Sequence, residues 1–160
     1  MDEEWLIDGY NLLHDIASLK NSHHAFPSSK TELFAVLAGF ASSKKQKMWM
    51  VLDGVGNPEE LKVYQTPFFE AVYSQKVSAD NHIEKYIYQN KTSTSFLVVT
   101  NDRTISELAR GGGARVLKNS LFLEMLKEAG RDEKAVVNKE EARSHGFHRP
   151  FDDKLKAKGL

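Results

Sequence analysis

The chain has 160 residues, 41% of them hydrophobic, with 22 Lys and Arg against 22 Asp and Glu and no cysteine. That length holds one domain with a real core, because a chain of about 150 residues buries roughly two-thirds of its unfolded surface. Without cysteine there is no disulfide frame, thiolate metal site or cysteine nucleophile, and a net charge of zero neither favours nor excludes nucleic acid.

The first strand is expected at Trp5 to Asp8, a short apolar run of the kind buried on both faces of a parallel sheet. It stops on a carboxylate, turns at Gly9 and restarts as a helix with Asn11 in its first turn. The acidic start Met1-Asp2-Glu3-Glu4 is unlike a signal peptide and no apolar run approaches ~20 residues, so the chain reads as cytosolic with no membrane partner. Asp15 to Pro27 shows no sustained period, and Asn21-Ser22-His23-His24 reads as a solvated loop rather than a metal site. Ser29-Lys30-Thr31-Glu32 has the form of a capping box. The helix after it, to about Ala41, aligns Leu33, Leu37 and Phe40 with Phe34 and Ala41 alongside.

Met48 to Gly54 is the second strand, again ending in Asp-Gly at Asp53. Val55 to Pro67 reads as a connection, and Gly54-Val55-Gly56 lacks the third glycine of a dinucleotide fingerprint. Phe68 to Ser74 is the third strand by propensity. Ser78 to Ile87 opens a helix with Ala79, Ile83, Tyr86 and Ile87 inward and with Asp80 and Glu84 on one face. Ser95 to Thr100 is the clearest strand and runs into Asn101-Asp102-Arg103-Thr104 and a helix with Ile105, Leu108 and Ala109 inward. Gly111-Gly112-Gly113 stops that helix and is no phosphate loop, since neither Lys-Ser nor Lys-Thr follows it. Ala114 to Leu117 is a fifth strand, and Ser120 is expected to cap a last helix ending at Gly130.

From Arg131 the composition changes: the last 30 residues hold eight Lys or Arg and six Asp or Glu, and apolar residues thin out. The expected organisation is a core over 1–130 and a basic appendage over 131–160 that docks loosely or is disordered when free.

Alternating strands and helices imply a parallel sheet with right-handed crossovers, so the strand ends bearing acids share one edge. Singly, Asp102 fits a helix N-cap, Asp80 a first-turn acid and Asp53 a turn. Caps and turns do not require that they and Asp8 occupy the same edge. Carboxylates crowded together repel unless a cation compensates, and oxygen-only donors suit Mg²⁺ or Mn²⁺. Such ions activate water and bind phosphodiester oxygens, which points to metal-assisted phosphodiester hydrolysis.

Four blocks, Asp8-Gly9-Tyr10-Asn11-Leu12, Val51-Leu52-Asp53-Gly54, Val72-Tyr73-Ser74 with Ser78 to Glu84, and Val98-Val99-Thr100-Asn101-Asp102-Arg103-Thr104, resemble the successive motifs of the YacP-like NYN domains of the PIN-like nuclease superfamily. The blocks stand in the right order across about residues 4 to 130. The resemblance implies an α/β fold, a three-layer α/β/α sandwich whose five-stranded parallel sheet has the order 3-2-1-4-5. Its topological switch then lies between the first and fourth strands, with Asp8 and Asp102 flanking the crevice. It implies an Mg²⁺- or Mn²⁺-dependent ribonuclease acting as an endonuclease. By the same resemblance Asp8, Asp80 and Asp102 bind metal, and Asp53 is a further acid in or behind the ligand set. Asn11 meets a ligand carboxylate or a substrate phosphate, and Thr100 and Asn101 shape the pocket floor.

Relatives often carry a second acid directly after the helix-start aspartate, and here that position is Asn81. Either Glu84 substitutes as ligand or general base, or the site is weaker. For RNA, taken as single-stranded, Arg103 is a candidate for the scissile phosphate, with a surface ion pair as its other reading. Lys44, Lys45 and Lys47 belong to the amino edge, far from the site. The tail residues Arg143, His145, His148, Arg149, Lys154, Lys156 and Lys158 could meet phosphates, and Phe147 and Phe151 could stack on bases or pin the tail to the core. His14 and His82 read as helix-surface residues. Two alternatives stand: a catalytically weak or inactive RNA- or protein-binding module, and, more distantly, a haloacid-type phosphatase, which wants an acid where Tyr10 stands.

Overall fold

A computed structural model of the chain describes residues 2–18 and 29–146, with side chains through residue 132. The segment around His23 and His24, the tail from Phe147 onward, and the side chains of Arg143 and His145 lie outside the described residues.

Five strands, β1 (Asp2–Asp8), β2 (Met48–Leu52), β3 (Phe69–Tyr73), β4 (Thr94–Val99) and β5 (Arg115–Leu117), form one sheet in the order β3-β2-β1-β4-β5. Every adjacent pair is parallel. The interleaved helices are α1 (Gly9–Ser18), α2 (Lys30–Lys44), α3 (Pro58–Lys62), α4 (Ala79–Asn90), α5 (Arg103–Gly111) and α6 (Asn119–Gly146). The chain divides into two units, Met1–Leu126 and Lys127–Leu160. The described part of the second unit is helical, to Gly146. Among the described residues no helix is long and apolar enough to cross a membrane.

Residue parity decides which face of the sheet each side chain meets. Leu6, Val51, Phe96 and Val98 pack with Ala79, Ile83 and Ile87 of α4 and Ile105 and Ala109 of α5. On the opposite face Trp5 lies 6.4 Å from Phe40 of α2 and 6.1 Å from Phe122 of α6, ring centre to ring centre. Gly9, at the start of α1, also belongs to that layer: a Cβ there would stand 2.7 Å from the Leu52 side chain and 2.8 Å from the Val51 carbonyl oxygen. Burying both faces is what turns these strands into apolar runs. Ser29 caps α2 by accepting the Glu32 N–H, and the expected stripe Leu33, Phe34, Leu37, Phe40 and Ala41 is buried.

Several boundaries differ from expectation. β1 begins at Asp2 rather than Trp5, because Asp2, Glu3 and Glu4 pair with Thr94, Ser95 and Phe96 of β4. The buried Glu4 carboxylate is tolerated because Trp49 Nε1 and the Tyr86 hydroxyl each donate to it at 2.9 Å and Lys47 pairs with it at 3.1 Å. Lys47 therefore sits at the amino edge, opposite the acid-bearing strand ends. Helix α1 extends through Ser18, and the connection after β2 contains the short α3, capped by Asn57 with Pro58 following. Ser120 lies inside α6, which opens at Asn119 with Lys118 O accepting the Leu121 and Phe122 N–H groups. Gly130 does not end α6, which continues to Gly146. In α5, Leu108 is only half-buried and Ser106 takes a buried place, its hydroxyl donating to the Asp102 carbonyl at 2.7 Å.

Candidate active site

The same parity that builds the core carries the acids to one place. Asp8 follows Leu6 by two residues and Asp53 follows Val51 by two, so both continue the α4–α5 face of the sheet past its packed part. Asp80 lies in the first turn of α4, and Asp102 is the N-cap of α5, accepting the Ile105 N–H at 2.9 Å. All four carboxylates line a single open groove of about 700 Å³, together with Tyr10, Asn11, His14 and Lys30.

Asp8 is the buried member, 6% exposed. Burial pushes its carboxyl up to about 6; the Thr100 hydroxyl pulls the other way, and Asp102, Asp80 and Asp53 add repulsion. Asp53 is exposed, and one of its oxygens accepts the Ala79 N–H at 2.9 Å, anchoring the start of the helix that carries Asp80. The turn after it is made by Gly54 at φ +111°, a conformation that favours glycine.

Thr100 sits beneath this cluster, 1% exposed. Its hydroxyl is 2.8 Å from Asp8 Oδ2 and 3.4 Å from Asn11 Oδ1, so its single proton goes to Asp8. The same oxygen accepts the Asp102 N–H at 3.0 Å, tying the two acids through one side chain.

Asn11 is held by a network that sequence reasoning did not find. Its Oδ1 accepts the Asn101 N–H at 2.9 Å and Asn119 Nδ2 at 2.8 Å. Asp15, one turn along α1, accepts Asn101 Nδ2 at 2.6 Å and Asn119 Nδ2 at 2.9 Å, and Asn101 Oδ1 accepts the Asn119 N–H at 2.9 Å. These contacts assign the Asn11 oxygen inward and leave its amide NH₂ without a described partner, on a residue that lines the groove. Asn119 is fully buried and its own Oδ1 accepts nothing among the described residues. Asp15 stands four residues after Asn11, the spacing of one helix face, which was the available signal. For Asn119 there was none, since an asparagine at a helix start reads as an ordinary turn.

Other candidates stand elsewhere. Thr100, which is buried, and Asn101, which is exposed, do not line the groove. Arg103 is exposed and bonded to Glu107 at 3.0 Å, the surface ion pair that was its other reading. Glu84 is half-buried one turn beyond Asp80 and does not line the groove, nor does His82, which lines an apolar cavity of about 60 Å³ with Trp49 and Tyr86. His14 is exposed and does line it.

The donor set is oxygen-only, and the charge of its buried member is disfavoured first by burial and then by its acidic neighbours, a load that a hard divalent cation relieves. Among the described residues no three carboxylates or imidazoles converge as a ready cage. An ion such as Mg²⁺, which keeps several waters, needs only one or two carboxylates plus substrate phosphate.

The model of the family described as YacP-like NYN domain matches residues 5–159. No curated protein matches the chain significantly. Among solved structures, the chain is similar to a crystal structure of Rae1 (YacP) from Bacillus subtilis, with 22% identity over 99% of this chain and 92% of that one and a TM-score of 0.70. A mutant of the same protein gives 24% identity over 89% and 85% and a TM-score of 0.69.

Proposed function

The chain belongs to the YacP-like NYN domain family and carries a PIN-like, ribonuclease-type domain; from that premise we propose that it is an Mg²⁺- or Mn²⁺-dependent endoribonuclease acting at the four-acid groove. The carrying observation is that Asp8 is raised to about 6 by burial, with Asp102, Asp80 and Asp53 all contributing repulsion. Three acids from separate chain segments stand close enough to Asp8 to add to the effect of its burial, and the Thr100 hydroxyl offsets only part of that cost.

In this reading the ion would be held by one or two carboxylates drawn from Asp8, Asp80 and Asp102, with Asp53 beside them and water or substrate phosphate completing its shell. When bound, the cation supplies charge neutralisation at the phosphodiester and lowers the pKa of an attacking water. Thr100 ties the Asp8 carboxylate to the Asp102 backbone N–H, and Asn11 directs its NH₂ at a phosphate oxygen of the substrate. The starts of α1, α4 and α5 converge on the same edge, and their dipoles favour an anionic substrate there.

Asp8→Asn and Asp102→Asn test this with little structural disturbance. Asparagine still accepts the Thr100 proton at position 8, and it caps a helix about as well as aspartate at position 102. Each variant is expected to lose at least 100-fold of Mg²⁺- or Mn²⁺-dependent cleavage of a labelled RNA, on the order of one lost ligand contact. Cleavage by Asp8→Asn at the wild-type rate would overturn the assignment.

A further inference from the structure

One face of α1 lies along the groove: Tyr10, Leu13 and His14, spaced i, i+3, i+4, all line it. Tyr10 is 41% exposed and is the one exposed large hydrophobic residue among the described residues that lines the groove. Other aromatics, such as Trp5, Phe34, Phe40 and Phe122, are held in ring contacts. The Tyr10 ring and hydroxyl have no partner among the described residues.

Among the described residues Lys30 is the single Lys or Arg lining a groove that holds four acids. It occupies the first position of α2, where a cation opposes the helix dipole. Its ammonium lies 3.5 Å from the Tyr73 hydroxyl and 5.8 Å from that ring's centre, so it is held at the end of β3 rather than free in solvent.

An accessible aromatic face beside one positioned cation, at the margin of a phosphodiester site, matches the two chemical parts of a nucleotide. We propose that Tyr10 and Lys30 form a nucleotide subsite next to the acids, in which an unpaired base stacks on Tyr10 and a backbone phosphate meets Lys30. This rests on the ribonuclease reading of the groove and adds how a single strand is held there, since bases inside a duplex offer no free face.

The test is equilibrium binding of fluorescently labelled single-stranded RNA to the full chain carrying Asp8→Asn, which removes cleavage from the measurement. Adding Tyr10→Ala is expected to weaken binding about 10-fold, within the range for loss of one stacked base. Tyr10→Phe, which keeps the ring, should bind like the parent. Lys30→Gln should weaken binding and lower the log–log salt slope by about 0.7, one phosphate contact on a single strand. The proposal is overturned if Tyr10→Ala binds as well as the parent, if Phe and Ala weaken binding equally, or if a duplex of the same sequence binds as tightly. Absence of divalent-dependent cleavage by the wild-type chain would instead overturn the ribonuclease reading and leave a Tyr10-dependent RNA site standing.

Discussion

Asp8 carries two opposed demands in one side chain. With a folded value of about 6 against an ordinary 3.8, its charged form is disfavoured by the fold. The stability associated with its neutral form is fully present below the unfolded value and is lost as pH rises through the folded one. Above pH 6, without divalent cation, Asp8 therefore weakens the protein. Asp8→Asn should raise the unfolding free energy at pH 7.5 by about 1–3 kcal/mol and leave it nearly unchanged below pH 4, as read by urea denaturation in chelator. Saturating Mg²⁺ should narrow that difference by stabilising only the wild type. Equal stability of the two proteins across the whole range would show that the cluster is not under electrostatic load.

At the scale of elements, α1 presents three stripes with three duties. Gly9, Leu12 and Ile16 are buried, Tyr10, Leu13 and His14 line the groove, and Asn11 and Asp15 bind the segments after β4 and β5. Asn119→Ala removes one donor from Asn11 and one from Asp15, while Asn101 still donates to each. It should cost about 1–3 kcal/mol in denaturant unfolding, at about 0.5–1.5 kcal/mol for each of the two lost bonds. Apolar runs ending in an acid were readable as strands because both sheet faces are covered, and the two-residue step from Leu6 to Asp8 and Val51 to Asp53 carries the acids to one face. What lay outside that logic was harder to read. The five residues of α3 are too few for a period, although Asn57-Pro58 is a start signal. Gly130 reads as a stop, yet the good helix formers around it, Glu128, Ala129, Glu133 and Lys134, carry α6 through one unfavourable residue. The role of Asn119 depends on residues more than 100 positions away, and no local pattern encodes that.

At the scale of the whole molecule, a net charge of zero does not say where the charges stand. Acids gather at the carboxyl edge of the sheet, while Lys47 answers Glu4 at the amino edge. We propose that the positive charge RNA requires comes largely from the basic tail, read from its sequence as an appendage to the core. Replacing Lys154, Lys156 and Lys158 with glutamine should lower the salt slope of single-stranded RNA binding by about 2. An unchanged slope would place the contacts elsewhere.

The central position of β1 has a consequence for how the protein comes into being. Of the five strands, the first to be made is the middle of the sheet, and one of its two partners, β4, lies some 90 positions downstream, as does Asp102. Asn119, which holds Asn11 in place, comes later still. A nascent chain thus emerges with Asp8 already made but with nothing to stand beside it. On the ribonuclease proposal, the growing polypeptide has no complete site until nearly the whole first unit has been made.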